Sequence, residues 1–157
     1  LVPLLESEDA TLRSFGTKWL GELEASAGTD ALWKIARGDR PLVDRLAALD
    51  ALAKIAPDII VEGLIRLESR QDLPLTFHRS LLTTLAAINS PEAALHLRDR
   101  HEVLKRDEEG AAELRLHLTW LLSPAFQKEW LEARALRRRR IDEGRLDLDE
   151  TLPVPPR

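Results

Sequence analysis

Leu20, Leu52, Leu85 and Leu118 recur along the chain at intervals of 32 or 33 residues. Four residues before each stands Gly16, Ala48, Leu81 or Leu114, and three residues after each stands Leu23, Ile55, Ile88 or Leu121. The i, i+4, i+7 spacing puts each trio on one helical face, which has to be buried against neighbouring helices. A fixed period of this length is the mark of stacked helical units. Small residues at Gly16, Ala48 and Ala53 predict close approach between adjacent helices.

The punctuation agrees with that period. Pro57, Pro91 and Pro124 each follow an apolar run by two or three residues, and proline is tolerated in the first helical turn because its missing N–H has no partner there. Ser90 and Ser123 precede two of these prolines as capping hydroxyls, and Thr29-Asp30 is expected to cap the second helix of the first unit. Asp39-Arg40-Pro41 and Asp72-Leu73-Pro74 read as breaks between units. Helices are therefore predicted near residues 9–25, 29–37, 41–55, 57–69, 74–88, 91–105, 108–122 and 124–141. Short loops between them favour antiparallel neighbours. Gly21 and Gly38 fall near predicted helix ends, where they would terminate the helix.

The expected fold is all-α: a right-handed α-solenoid of about four antiparallel hairpins over residues 1–141, followed by an acidic, proline-rich extended tail over 142–157. Leu1 is not a methionine, and residues 1–6 read as the end of an apolar helix. The chain is thus expected to be part of a longer array, lacking the polar outer face of a terminal repeat. A compact, non-repeating helical bundle is the alternative architecture.

The pattern Asp9-x-x-Leu12-Arg13-x-x-Gly16-x-x-Trp19-Leu20-Gly21-Glu22-Leu23 resembles the first helix of a HEAT repeat, in particular the short bacterial repeats related to those of bilin lyases. Arg45-x-x-Ala48-x-x-Ala51-Leu52-Ala53-Lys54-Ile55 matches it in the second unit. The third unit has His78 in place of the arginine, and the fourth has Ala111. The resemblance covers roughly residues 7–122. Tetratricopeptide repeats have a similar period, but Trp19-Leu20-Gly21 is contiguous where that family spaces its Trp and Leu-Gly. The Thr-Pro-Leu-His signature of ankyrin repeats is missing. What the HEAT resemblance implies is protein–protein recognition or scaffolding, often as a regulatory part of a larger protein.

Composition narrows the chemistry. Leu and Ala dominate the apolar residues, and the runs of Val, Ile and Thr that would signal strands are missing. The 157 residues include no cysteine, which excludes disulfides, thiol catalysis and thiolate metal sites. A net charge of −4, with both signs interspersed, gives no global field for nucleic acid or an anionic membrane. No run reaches the roughly 20 apolar residues of a membrane span. A cytoplasmic setting is expected, and the preference for Arg over Lys points to a bacterial gene.

Candidate chemistry is sparse. His96 and His101 lie about 140° apart around a helix, and no His-Glu-x-x-His zinc pattern occurs. His101-Glu102 is a single His-Glu pair, whereas HEAT-type deoxyhypusine hydroxylases need several for iron. His101 continues the stripe of Ala94, Leu97 and Leu104, so a half-buried, hydrogen-bonded histidine is expected. No catalytic residue, metal ligand or cofactor is assigned.

The second helix of each hairpin generally lines the concave face of a solenoid. Trp33, Lys34, Arg37, Glu62, Arg66, His96, Arg100 and Trp130 are the candidate residues for a protein partner or another region of its own assembly. Trp19 stands where Ala51 and Thr84 stand in later repeats, and is expected to fill space between helices. Nucleic acid is the second reading, carried by Arg137, Arg138, Arg139 and Arg140 as phosphate ligands. Against it, cations near the end of the last helix complement the helix dipole, and the acidic residues that follow offset their field.

Overall fold

The computed structural model describes residues 1–55, 57–104 and 110–144, except for the side chains of residues 134, 137, 138 and 141 in the last helix. Among the described residues, eight α-helices follow a short 3₁₀ turn at Val2–Glu6: α1 Ala10–Glu22, α2 Thr29–Arg37, α3 Leu42–Ile55, α4 Pro57–Glu68, α5 Leu75–Ile88, α6 Pro91–Val103, α7 Ala111–Leu121 and α8 Pro124–Asp142. No strand occurs among the described residues. The all-α expectation holds, and three second helices start at Pro57, Pro91 and Pro124 as the punctuation predicts. The tail expected from residue 142 lies, from residue 145 on, outside the described residues.

The chain divides into two compact units, Leu1–Ala93 and Ala94–Arg157. In the first, α3 is the hub and packs against α1, α2, α4 and α5. Helices α1, α3 and α5, the first helices of successive hairpins, therefore lie side by side with α3 between the other two. In the second unit, α7 packs on α8.

The periodic positions explain these contacts. Gly16, Ala48, Leu81 and Leu114 are all buried, as are Leu20, Leu52, Leu85 and Leu118. The third set holds only in part: Leu121 is buried, Ile55 and Ile88 are half-buried, and Leu23 is 54% exposed. Helix α1 ends at Glu22, earlier than predicted, and Leu23 is its C-terminal cap. Glu24 then takes a left-handed φ of 49° and turns the chain away. Leu23 thus falls beyond the last turn that faces the core.

Close approach occurs at a different glycine from the one expected. Gly21 is inside α1, where a Cβ would lie 2.9 Å from Ala51 Cα and 3.0 Å from Ala51 Cβ on α3. Its role is to let two helix backbones meet, not to end a helix. Gly38 does end α2, as its C-terminal cap. Gly16 instead accommodates the 3₁₀ turn, with Leu4 Cβ 2.9 Å from where its own Cβ would stand.

Two arginines in equivalent repeat positions link successive units. Arg13 donates to the Ser7 and Glu8 carbonyls at 3.0 and 2.8 Å and pairs with Asp44 of α3 at 2.9 Å. Arg45 donates to the Ala36 carbonyl at the end of α2, and its guanidinium carbon lies 4.1 Å from the centroid of the Phe77 ring on α5. Asp44 immediately precedes Arg45, and Phe77 immediately precedes His78. Each arginine therefore reaches the residue just before the matching position of the next unit. A parallel link joins Lys54 to Glu22 at 2.7 Å.

The caps are mixed. Asp9 accepts from the Thr11 backbone N–H at 2.7 Å, and this bond holds its carboxyl below the ordinary carboxylate range. Ser90 accepts from the Ala93 N–H at 3.1 Å, as expected. Thr29 does not cap α2: the cap is Gly28, with no side-chain bond, and the buried Thr29 Oγ1 has no hydrogen-bond partner. An N-cap threonine replaced by a non-capping residue costs about 0.5–2 kcal/mol, whereas a buried hydroxyl without a partner is itself unfavourable. Thr29→Val is thus expected to leave the urea midpoint unchanged or raise it; a clear loss would restore the capping role.

Candidate interaction surface on the second helices

Helices α2 and α4 carry the best-defined polar face of the first unit. In α2, Leu32, Ile35 and Ala36 turn inward at i, i+3, i+4 spacing, which leaves Asp30, Lys34 and Arg37 exposed. In α4, Ile60, Val61, Leu64 and Leu67 are buried, and Asp58, Glu62 and Arg66 form an exposed i, i+4, i+8 stripe. Glu62 and Arg66 form an ion pair, and both side chains remain more than three-quarters exposed. Such a pair contributes little to stability. Ile59, 81% exposed, adds an apolar position beside the stripe.

Trp33 and Gly63 tie the two helices together. Trp33 is half-buried, and a Cβ on Gly63 would lie 2.5 Å from Trp33 Cζ2. The indole fills the space the glycine leaves and so links α2 to α4. The five candidates Trp33, Lys34, Arg37, Glu62 and Arg66 belong to this pair of helices.

A shallow cavity of about 350 Å³ extends the surface beyond α2, lined among others by Leu5, Ala31, Lys34, Ile35 and Arg40. Its floor is apolar and its rim is charged, with Glu6 and Asp39 offsetting Lys34 and Arg40. Sequence reasoning missed Leu5 and Arg40. Leu5 carries no repeat signal, because it comes before the first periodic position, and Arg40 was read only as part of a helix break.

The remaining candidates sit elsewhere. His96 and Arg100 are half-buried on α6, in the second unit. Trp130 on α8 is only 9% exposed. It is a core residue of the second unit, on the same side of α8 as the fully buried Phe126, four residues earlier. Arg139 is exposed and Arg140 half-buried, while the side chains of Arg137 and Arg138 lie outside the described ones.

Charged groups at the turn after α4 are engaged with one another. Arg70 donates to both Asp72 oxygens, at 2.9 and 2.5 Å. These bonds raise the arginine's pKa and hold the Asp72 carboxyl below its ordinary range. Burial lowers that of Arg45. Glu68 and His78 form a buried pair, with Oε1 and Nδ1 3.4 Å apart. His101 is half-buried, its Nε2 3.1 Å from Thr119 Oγ1, as expected of a hydrogen-bonded histidine.

Among the described residues, no three His, Asp or Glu side chains converge as a metal site. No described helix is long and apolar enough to cross a membrane. Comparisons with protein-family models, with curated proteins and with solved structures give no match, so no relative lends this chain a function.

Proposed function

We propose that the chain is a noncatalytic, cytoplasmic protein-interaction module whose hairpins stack as a right-handed, HEAT-like α-solenoid, and that the exposed face of α2 and α4 receives a protein partner. The observation that carries this reading is the Trp33–Gly63 contact, which links α2 to α4 beside the exposed Lys34, Arg37, Glu62 and Arg66. The side-by-side packing of α1, α3 and α5 supports the repeat stacking, as do the matching reaches of Arg13 and Arg45. Charges of both signs on the face, beside the cavity lined by Leu5 and Ile35, suit a partner segment that carries an apolar side chain between an acidic and a basic residue. The module would act as a scaffold or regulatory part of a larger protein or complex.

The test is capture from a bacterial lysate on the immobilised full chain, with and without nuclease. A protein retained in stoichiometric amount after nuclease is the expected result. Recovery of nucleic acid alone, lost with nuclease or moderate salt, would replace this reading with phosphate binding by Arg139 and its neighbours.

A further inference from the structure

Two repeat positions in contact change together along the chain. On the register of Leu20, Leu52 and Leu85, Ala36 near the end of α2 corresponds to Glu68 at the end of α4, and Arg45 of α3 corresponds to His78 of α5. The buried residues follow the same alignment, since Leu32, Ile35 and Ala36 of α2 match Leu64, Leu67 and Glu68 of α4. At both junctions the later residue reaches back to the helix before it. Arg45 donates to the Ala36 carbonyl at 3.0 Å, and His78 Nδ1 lies 3.4 Å from Glu68 Oε1. Where one junction has an alanine and an arginine, the next has a carboxylate and an imidazole.

The second pair is withdrawn from water, with Glu68 1% and His78 9% exposed. A buried carboxylate is unfavourable unless its charge is met, and Glu68 stands where α2 has only a methyl group. His78 Nδ1 makes no hydrogen bond, so its contact with Glu68 draws on charge and not on a bond that a neutral ring would keep. The arginine of the earlier junction is charged at any ordinary pH. Histidine is the side chain that ordinarily changes charge between about pH 5 and 8.

We infer that the Glu68–His78 pair is a pH-sensitive joint between α4 and α5, tight while the imidazole carries its second proton and weaker once that proton is lost. Burial and the nearby N-terminus of α5 oppose the imidazolium, and the carboxylate 3.4 Å away favours it. The other charged groups around the junction are Arg45 of α3, the mutually bonded Arg70 and Asp72 of the turn after α4, and Arg79 beside His78 on α5. Glu68 and Arg79 also take part in further interactions. The arginines and Asp72 keep their charge across histidine's range, so the proton on His78 is the part of the junction that changes. The folded chain holds that proton through a contact that the unfolded chain lacks. The stability it contributes is therefore present at the acid end of the range and is lost as pH rises.

Urea unfolding of the full chain at about pH 5.5 and about pH 8, inside and at the end of histidine's range, tests this against Glu68→Gln, which keeps the shape of the side chain and removes its charge. The excess of the wild-type midpoint over that of Glu68→Gln is expected to fall by about half or more between the two conditions, a comparison in which the other three histidines cancel. The excess over His78→Gln is expected to shrink in the same way, and it decides the matter if Glu68→Gln fails to fold. An excess that is equal at both pH values, or that grows as pH rises, overturns the proposal.

Discussion

Phe77→Ala is expected to lower the unfolding free energy by about 3–5 kcal/mol, the range for emptying the site of a buried phenylalanine. The ring has no solvent exposure and lies on α5, which packs against both α3 and α4. Removing it also takes away the π face beneath Arg45, which is worth roughly a further 0.5–2 kcal/mol, while the bond from that guanidinium to the Ala36 carbonyl stays. Phe77→Leu separates the two effects, because it keeps most of the apolar volume and loses the ring. Urea unfolding reads both variants as a fall in midpoint at constant slope. An alanine variant within about 1 kcal/mol of wild type, the size of an ordinary surface effect, would mean that α5 is not seated on α3 as described.

Gly21 gives the second large effect, and its sign is the informative part. A glycine-to-alanine change inside a helix normally stabilises by about 0.5–1 kcal/mol. Here the added Cβ would meet the Ala51 backbone at 2.9 Å, and backbone cannot rotate away. Gly21→Ala is thus expected to destabilise, and Gly21→Val to do so by about 1–3 kcal/mol or more as α1 is pushed off α3. The same movement would stretch Arg13–Asp44 and Lys54–Glu22, the two ion pairs that cross that junction. Thermal unfolding of both variants beside wild type decides the matter. A higher melting temperature for Gly21→Ala would contradict the close approach.

The sequence revealed the helices more readily than the contacts between them. Pro57, Pro91 and Pro124 mark helix starts by a local rule, and the leucines at 20, 52, 85 and 118 mark a buried face by periodicity; neither needs knowledge of the neighbours. Gly21 could not be read this way, since a glycine near a helix end and a glycine under another backbone look the same until Ala51 is placed against it. Leu23 was assigned to the core because it keeps the period, but the period continues past the point where Glu24 reverses the chain. Thr29 has the composition of a cap, and Gly28 took the position.

The candidate surface was legible to about the same depth. Lys34, Arg37, Glu62 and Arg66 are polar residues off the apolar stripe of their helices, and all four are exposed. Trp33 and Trp130 show the limit of that reasoning. A tryptophan's role depends on what faces it: for Trp33 that is Gly63, thirty residues on, and for Trp130 it is a position that leaves it buried.

The α2–α4 face is tested most directly by reversing its charges while leaving the fold alone. Lys34→Glu, Arg37→Glu and Arg66→Glu, combined in the full chain, alter only exposed side chains, so helical content and melting temperature are expected to stay near wild type. Captured protein, quantified from nuclease-treated lysate against wild type and an Arg139→Glu control, is expected to fall at least tenfold for the triple variant alone. Equal capture by the triple variant and wild type would contradict the assignment of partner binding to this face.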